Sequence, residues 1–385
     1  MKRLAIVTTH PIQYYAPVFK LLAQNIELMV FYTWGEASLN KHDPGFDQTI
    51  KWDIDLLTGY DYRWMENTGT DPGSHHFNGI INPDIIDEIK AWNPDTLLVY
   101  GWAYKSHLSV LRYFKNKLPV LFRGDSTLLD EKPGLKNRLR AVYLKWVYKH
   151  IDYALYTGTN NKAYFKKYGL KEDQLVFAPH AVDNERFEIA NDIEVSYLKK
   201  RLNISDNDIV VLFAGKFETK KDPALLLESF INLNLPDTHL LFVGDGELAA
   251  SLKQRALKYR NIHFINFQNQ TNMPAIYQVC DIFCLPSKGP GETWGLAVNE
   301  AMACSKSVLV SDKAGCAIDL VKSDINGLIY IAGSEADLSN KLQKLISKGK
   351  EQLAFMGQTG KQIIKNWNFI VQATQIIKYK DGTNR

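Results

Sequence analysis

The sequence predicts an α/β protein built from two doubly wound domains, each a parallel sheet with helices on both faces. Three observations lead there. Short apolar, β-rich runs alternate with longer amphipathic patterns, which is the signature of β–α–β units and hence of parallel sheets. The alternation pauses after Tyr156 and restarts at Ile209, so there are two series of it. The chain of 385 residues is also longer than one core commonly supports.

In the first series the strands are expected over Leu4–Thr8, Leu28–Tyr32, Leu97–Tyr100, Val120–Phe122 and Tyr153–Tyr156, with amphipathic segments such as Tyr104–Tyr113 and Leu135–Lys149 between them. In the second they are Ile209–Ala214, Leu240–Val243, Ile262–Ile265, Ile282–Leu285 and Val308–Val310, separated by helical patterns near Leu225–Ile231, Leu248–Leu257 and Leu296–Met302. The boundary is expected near Val182–Asp192, giving domains over 1–187 and 188–362. The last pattern, Ile363–Tyr379, lies beyond the second series. A helix over about 363–385 is expected to pack back onto the first domain.

The composition is that of an ordinary globular protein, 45% hydrophobic and 23% charged, with a formal charge of +4. Such a mildly basic surface argues against nucleic acid as a partner and leaves any anion site to be local. The opening stretch has two bases and only a short apolar run before His10 and Gln13, unlike a signal peptide, and no apolar run is long enough for a bilayer. Cys280, Cys284, Cys304 and Cys316 are expected as reduced core residues of a cytoplasmic protein, since no histidine pair stands near them at zinc spacing.

In open parallel sheets ligands sit beyond the carboxyl ends of the strands, at helix N-termini. The run Asp281–Leu285 is followed by a Pro/Gly-rich loop and by a helix expected to begin near Gly295. Glu292 then hangs in the loop and Glu300 lies inside the helix, so the two carboxylates stand apart. Gly295 lets backbone approach a ligand, and the free N–H groups of the helix start suit a phosphate or a developing negative charge. Two carboxylates around one anion site suit a ligand with hydroxyls at both ends, such as a sugar diphosphonucleoside. The plain alternative is that Glu292 caps the helix and Glu300 is solvated. At a second strand end, Ala214-Gly215-Lys216-Phe217 leads through Lys221 to a helix start marked by Asp222-Pro223. Two ammonium groups there can neutralise a diphosphate, against the alternative of ordinary surface lysines.

These residues carry a resemblance. Gly215-Lys216-Phe217 with Lys221, together with Glu292, Trp294-Gly295 and Glu300-Ala-Met-Ala303, resembles the family-4 glycosyltransferases, which have the GT-B fold of two facing Rossmann-like domains and transfer sugars with retention. Pro179–Phe187 is similar to the family's stretch at the domain junction, and Phe242–Gly246 to its second-domain strand and turn. The likeness is strong over about residues 175–330 and weak over the first domain, which in this family holds the acceptor. The resemblance implies that Lys216 and Lys221 bind donor phosphate, that Glu300 holds the ribose hydroxyls and that Glu292 contacts the donor sugar, with Gly215, Trp294 and Gly295 lining the same site. Lysine at 216 replaces the family's arginine and gives up the bidentate fork. Trp294 replaces a phenylalanine, and Asn266 stands where a glycine is common, near the expected place of the base.

Two strand ends of the first domain complete the set. Thr8–Pro17 offers His10, Gln13, Tyr14 and Tyr15, an imidazole, an amide and two phenols of the kind that bind sugars. Related enzymes often have glycines there, where this chain has Pro11. Their alternative is packing on the sheet. At Leu121–Ser126, Arg123 and Asp125 are expected as catalytic-side groups, the arginine for a carboxylate or phosphate and the aspartate for a hydroxyl, against the alternative of a pair that fixes the loop. Over 135–149 a stripe of Leu135, Leu139, Val142, Trp146 and Val147 runs beside Lys132, Lys136, Arg138, Arg140, Lys145 and Lys149. The stripe is read as core and the bases as a solvated face, with peripheral contact to the inner membrane face as the alternative.

The function expected is a retaining, metal-independent glycosyltransferase of hexosyltransferase type. It moves sugar from a UDP- or GDP-linked donor to a glycan, lipid-linked or small-molecule acceptor, in cell-surface polysaccharide or glycoconjugate biosynthesis. No cofactor or metal is expected, since Asp53-Ile-Asp55 is the one tempting acidic pair and nothing around it resembles an active loop. A nucleotide-sugar epimerase of the same architecture and a non-catalytic carbohydrate- or nucleotide-binding relative are the competing readings. Gly244-Asp-Gly246-Glu-Leu-Ala249 fits a dinucleotide fingerprint, but the following strand ends at Asn266-Phe267 without the carboxylate a ribose needs.

Overall fold

The computed structural model describes residues 2–40, 42–43, 45–46 and 48–379. In chain order the strands are β1 (Arg3–Thr8), β2 (Glu27–Tyr32), β3 (His42–Asp43), β4 (Gln48–Thr49), β5 (Asp61–Trp64), β6 (Thr96–Tyr100), β7 (Val120–Arg123), β8 (Tyr153–Tyr156) and β9 (Leu175–Phe177). They continue as β10 (Ile209–Ala214), β11 (Thr238–Val243), β12 (Ile262–Ile265), β13 (Ile282–Leu285), β14 (Ser307–Ser311) and β15 (Gly327–Tyr330). The chain folds as two compact units; of the described residues, 2–40, 54–180 and 369–379 form one and 42–43, 45–46, 48–53 and 181–368 the other.

The first unit holds a seven-stranded sheet of order β5-β2-β1-β6-β7-β8-β9 and the second a six-stranded sheet of order β12-β11-β10-β13-β14-β15. Every pairing in both is parallel. The burial pattern explains why the strands read as unbroken apolar runs rather than alternating ones. All six residues of β10 and all five of β6 are buried, because helices cover both faces. Ala5, Val7, Leu97, Val99 and Phe122 meet one core, and Val211, Phe213, Leu240, Ile282 and Leu309 another. Each fully buried Val, Leu, Ile or Phe contributes roughly 1.5–3 kcal/mol relative to exposure.

Both sheets begin winding at an inner strand and reverse beside it. In the first, β1 lies between β2 and β6; in the second, β10 lies between β11 and β13. The loops that leave these neighbouring strands in opposite directions open a crevice at the carboxyl ends, the switch point where α/β sheets take ligands.

The division differs from the expected 1–187 and 188–362 at three places. The chain leaves the first unit between His180 and Ala181, and the return to it begins at Phe369 rather than at 363. The pattern over 363–379 is two helices, Gly349–Ile364 and Phe369–Tyr379, because the intervening Asn366-Trp367-Asn368 turns the chain, with Trp367 N–H bonded to Ile364 O. The segment 42–53 belongs to the second unit although it precedes most of the first. The part of the expected terminal helix beyond Tyr379 lies outside the described residues.

One helix corrects the sequence reading outright. Over Leu135–Tyr148 only Leu144, Val147 and Tyr148 are buried. Leu135 is 73% exposed, Leu139 65% and Val142 70%, with Trp146 also outward, so four of the five residues read as a core stripe face solvent. The six bases on and beside the helix are exposed as well. Among the described residues no helix is long and apolar enough to cross a membrane. The four cysteines are free and buried, as a core role requires, and burial pushes the Cys280 thiol up to about 12.

Candidate functional site

At the switch point of the second sheet, β10 ends at Ala214 and the chain turns through Gly215, whose φ of +152° suits glycine. Phe217, 1% exposed, anchors the loop in the core and its N–H donates to Asp245 O at 2.8 Å. Lys216 and Lys221 are carried on the solvent side of that anchor. Beyond them the helix Pro223–Leu233 begins with proline in its first turn. Asp222 does not cap it: held at φ +52° and buried, it accepts from Lys288 Nζ at 3.0 Å.

The loop after β13 faces this one. Gly295, at φ +100°, precedes the helix Leu296–Ala303, and a Cβ there would lie 2.7 Å from Leu285 Cδ2. Glu292 is not a helix cap. Its Oε2 accepts from Ser287 Oγ at 2.7 Å and from Lys221 Nζ in an ion pair with both side chains largely buried, so the pair clasps the two loops. Glu300 is 4% exposed rather than solvated, and its Oε2 accepts from Tyr277 OH at 2.7 Å. Lys216 is likewise paired, donating to Asp43 Oδ1 at 2.7 Å. The two lysines therefore stand beside one crevice with a carboxylate each.

Trp294, expected on the donor surface, is instead 4% exposed, with its Nε1–H donating to Asn299 Oδ1 at 2.9 Å and its ring 5.0 Å from that of Trp367. Its indole is a core block that fixes the Glu292 loop from below. Gly315, which drew no notice in the sequence, supports the same loop. Its N–H donates to Glu292 O at 3.0 Å, and a Cβ on it would fall 1.8 Å from Thr293 O. The signal that could have found it is a glycine just beyond the β14 strand end.

At the switch point of the first sheet a cavity of about 260 Å³ is lined by Thr9, His10, Tyr15, Tyr100, Tyr104, Arg123, Asp125 and His180, among others. Of the four expected acceptor residues it includes His10 and Tyr15 but not Gln13 or Tyr14. His10 Nδ1 is 2.8 Å from Thr9 Oγ1 and its ring meets Trp34 edge-on at 5.4 Å. Desolvation, and then the negative charge of Asp125, raise the Tyr15 and Tyr104 phenols, and desolvation pushes Tyr100 up to about 12. All three stay neutral donors at physiological pH. His180 is buried, and desolvation followed by the Arg123 charge holds its imidazole well below the usual histidine range, so it too is neutral.

Arg123 departs from the reading as a group that meets substrate charge. It is 2% exposed and spends its fork on backbone, donating from Nη1 to Ala178 O at 2.8 Å and from Nη2 to Pro179 O at 3.2 Å. Its work is to hold the segment that carries His180. Asp125, two residues on, is exposed at the cavity mouth. Tyr100, Tyr104 and His180 were missed because a tyrosine at a strand end and a histidine before a turn look like packing residues when read singly.

The Asp53–Asp55 pair is divided between the units. Asp53 accepts from Thr271 N at 3.2 Å in the second, whereas Asp55 caps Leu57 and Thr58 and holds Lys20 in the first. Among the described residues the one cluster of metal-type side chains is Asp71, His75 and His76, in the first unit.

Two Rossmann-like parallel-sheet units of this kind define the GT-B type of glycosyltransferase fold. The structure is similar over the full length of both chains to Anabaena HepE in complex with UDP and glucose, with a TM-score of 0.74 at 16% identity. A glycosyltransferase of Rickettsia africae gives 0.74 at 14% identity, covering 100% of this chain and 99% of that one. Residues 196–363, which lie in the second unit, match the family described as glycosyl transferases group 1. An uncharacterized glycosyltransferase of Methanocaldococcus jannaschii is 23% identical over 241 residues, 61% of this chain and 67% of the relative. A Campylobacter jejuni N,N'-diacetylbacillosaminyl-diphospho-undecaprenol α-1,3-N-acetylgalactosaminyltransferase is 26% identical over 220 residues, 54% of this chain and 55% of that protein. The alignments thus span about half to two thirds of the curated relatives' length.

Proposed function

We propose that the protein is a retaining, family-4 glycosyltransferase that takes sugar from a nucleotide-sugar donor held by the second unit and passes it to an acceptor hydroxyl held by the first. The observation that carries this reading is the meeting of the loops that follow β10 and β13, joined by the Lys221–Glu292 pair. Lys216, Lys221 and the start of the Leu296–Ala303 helix gather there, within the region that matches group 1. Transfer breaks the bond from the anomeric carbon to the diphosphate and forms one to the acceptor oxygen, with the acceptor proton released. Negative charge grows on the leaving diphosphate, and the two ammonium groups and the helix N–H groups are what this chain offers to meet it. Glu292 positions Lys221 as it approaches the donor sugar, and Glu300 is the acceptor for ribose hydroxyls once Tyr277 shares it. No metal is needed on this account, because protein cations do the work of one.

The donor is UDP- or GDP-linked. The acceptor is a glycan, a lipid-linked sugar or a small molecule, in polysaccharide or glycoconjugate synthesis at the cytoplasmic side. Lipid is favoured by the exposed Leu135, Leu139, Val142 and Trp146 set among six bases, a face suited to an anionic bilayer surface. It is favoured also by relatives whose names specify diphospho-undecaprenol and phosphatidyl-myo-inositol acceptors. The test is a thermal-shift screen across UDP- and GDP-sugars with EDTA present, followed by product analysis on any that stabilise. A ligand at about 100 times its Kd adds roughly 2.7 kcal/mol. Transfer that needs a second substrate supports the reading. Conversion of the nucleotide sugar to an isomer without an acceptor would replace it with an epimerase, and stabilisation without any product would replace it with a binding protein.

A further inference from the structure

The β3–β4 pair precedes β5 of the first sheet in the chain, yet residues 42–53 fold onto the second unit and do so by specific contacts. Asp43 Oδ1 accepts from Lys216 Nζ at 2.7 Å and from its own neighbour Gly45 N at 2.8 Å, which turns the strap over the lysine. A Cβ on Gly45 would lie 2.5 Å from Lys216 Cδ, so the backbone runs hard against the lysine stem. The Phe46 ring stands 4.7 Å from that of Phe267, just past the end of β12, and Lys216 Nζ is 5.1 Å from the Phe46 centroid. Farther on, Asn269 Nδ2 donates to Lys51 O at 2.7 Å and Thr271 N to Asp53 Oδ2 at 3.2 Å. The strap is thus pinned at both ends and crosses the carboxyl ends of β10 and β12.

We propose that Asp43 sets the donor affinity of this unit by competing with the donor's diphosphate for Lys216. The inference rests on the reading of Lys216 as a phosphate-binding residue. An ammonium group satisfied by a carboxylate at 2.7 Å is already neutralised. A diphosphate that takes it leaves the Asp43 charge beside phosphate oxygens of the same sign, in a place where the lysine is 31% and the aspartate 20% exposed and water screens them poorly. Binding therefore has to turn Asp43 away, and the free energy of breaking the pair is subtracted from the affinity. Phe46 and Phe267 keep the strap in place while the carboxylate moves.

The experiment is titration of UDP and of GDP into the full chain, with EDTA present, for the unaltered protein, Asp43→Asn and Lys216→Ala. The Asp43→Asn change keeps a side-chain acceptor for Gly45 N–H and removes only the charge, and melting curves check that the variants fold. Asp43→Asn is expected to tighten the better-bound nucleotide about tenfold, the equivalent of one charge-assisted bond no longer broken, while Lys216→Ala weakens it. Uridine and guanosine, which carry no phosphate, should bind the unaltered protein and Asp43→Asn alike. If Lys216→Ala weakens binding but Asp43→Asn leaves it unchanged or weaker, the competition is overturned while the donor-site reading stands. Equal tightening for the nucleosides overturns it too. If Lys216→Ala leaves nucleotide binding unchanged, the phosphate role of Lys216 falls and the competition falls with it.

Discussion

At the switch point of the second sheet the polar side chains are charged and cross-paired, Lys216 with Asp43 and Lys221 with Glu292. At that of the first sheet they are mostly neutral. Tyr15, Tyr100 and Tyr104 are kept protonated, His180 is kept unprotonated, and the one buried cation, Arg123, is turned onto backbone carbonyls. The two crevices arise from the same topology, so the difference lies in loop chemistry rather than in fold. Charged groups that exchange partners suit a ligand that brings its own charge, such as a diphosphate. Neutral phenols and an imidazole, rigid and part apolar, suit the hydroxyls and ring faces of a sugar.

The contrast can be broken most severely from the glycine that supports the charged crevice. Gly315→Ala places a Cβ on Thr293 O and must shift the loop that carries Glu292. A displacement of this size costs on the order of 100-fold in kcat/KM, with KM for the acceptor unchanged. Steady-state kinetics check it, and a fully active variant would show that the loop position is not critical. Next, Lys221→Ala should cost about 10- to 100-fold in kcat/KM, the worth of one charge-assisted contact in the transition state. Glu292→Ala should lower kcat through loss of the lysine's position. Because the two form one ion pair, the double variant should lose much less than the product of the single losses. Additive losses would separate their roles.

Glu300→Ala should raise the donor KM about tenfold with little change in kcat, since a ribose contact is made equally before and during reaction. A drop in kcat alone would contradict that role. Smaller still, Tyr104→Phe should raise the acceptor KM a few-fold, by about the worth of one neutral hydrogen bond, and leave nucleotide binding untouched. An effect on the donor instead would move Tyr104 to the other side of the reaction.

Acid sharpens the comparison in stability rather than rate. Burial lowers His107, whose Nε2 meets Thr33 Oγ1 at 2.8 Å, from its ordinary 6.5 to about 4, and burial followed by the His239 charge lowers His263 to about 4. Each group binds its proton more readily in the unfolded chain than in the folded one. Stability is therefore full above pH 6.5 and is lost as pH falls from there toward 4. His107, in the first unit, is fully buried and accounts for roughly 3 kcal/mol of that loss, and the more exposed His263, in the second, for less. Denaturant melts from pH 7 to pH 4 of the protein and of His107→Gln check this, the variant being expected to lose less over that range.

How much was legible follows from what each residue does locally. The inner strands were plain because they are buried on both faces and so read as apolar runs. The edge strand β5 was not, since Asp61, Tyr62 and Arg63 are exposed, and the other edge strand of that sheet, β9, has only three residues. The places of Gly215, Lys216, Lys221 and Gly295 at strand ends were legible, because a glycine after an apolar run announces a turn. Trp294 and Arg123 were overread: conspicuous side chains attract functional meaning, and both are held in the interior by partners that no local pattern reveals. The helix Leu135–Tyr148 was underread, because its periodicity is the same whether the apolar side meets a core or solvent. The Asp43–Lys216 contact, 173 residues apart in the chain, depends on which unit a polar segment joins, and spacing carries no trace of that.

On the proposed function, the second unit binds a nucleoside diphosphate through protein cations at its switch point. The most direct measurement is calorimetric titration of UDP and GDP into the protein and into Lys221→Ala, both with EDTA present. One site that prefers one of the two nucleotides is expected, retained in EDTA and weakened about 10- to 100-fold by the substitution. Binding that vanishes with EDTA and returns with manganese, or that is indifferent to the loss of Lys221, would contradict it.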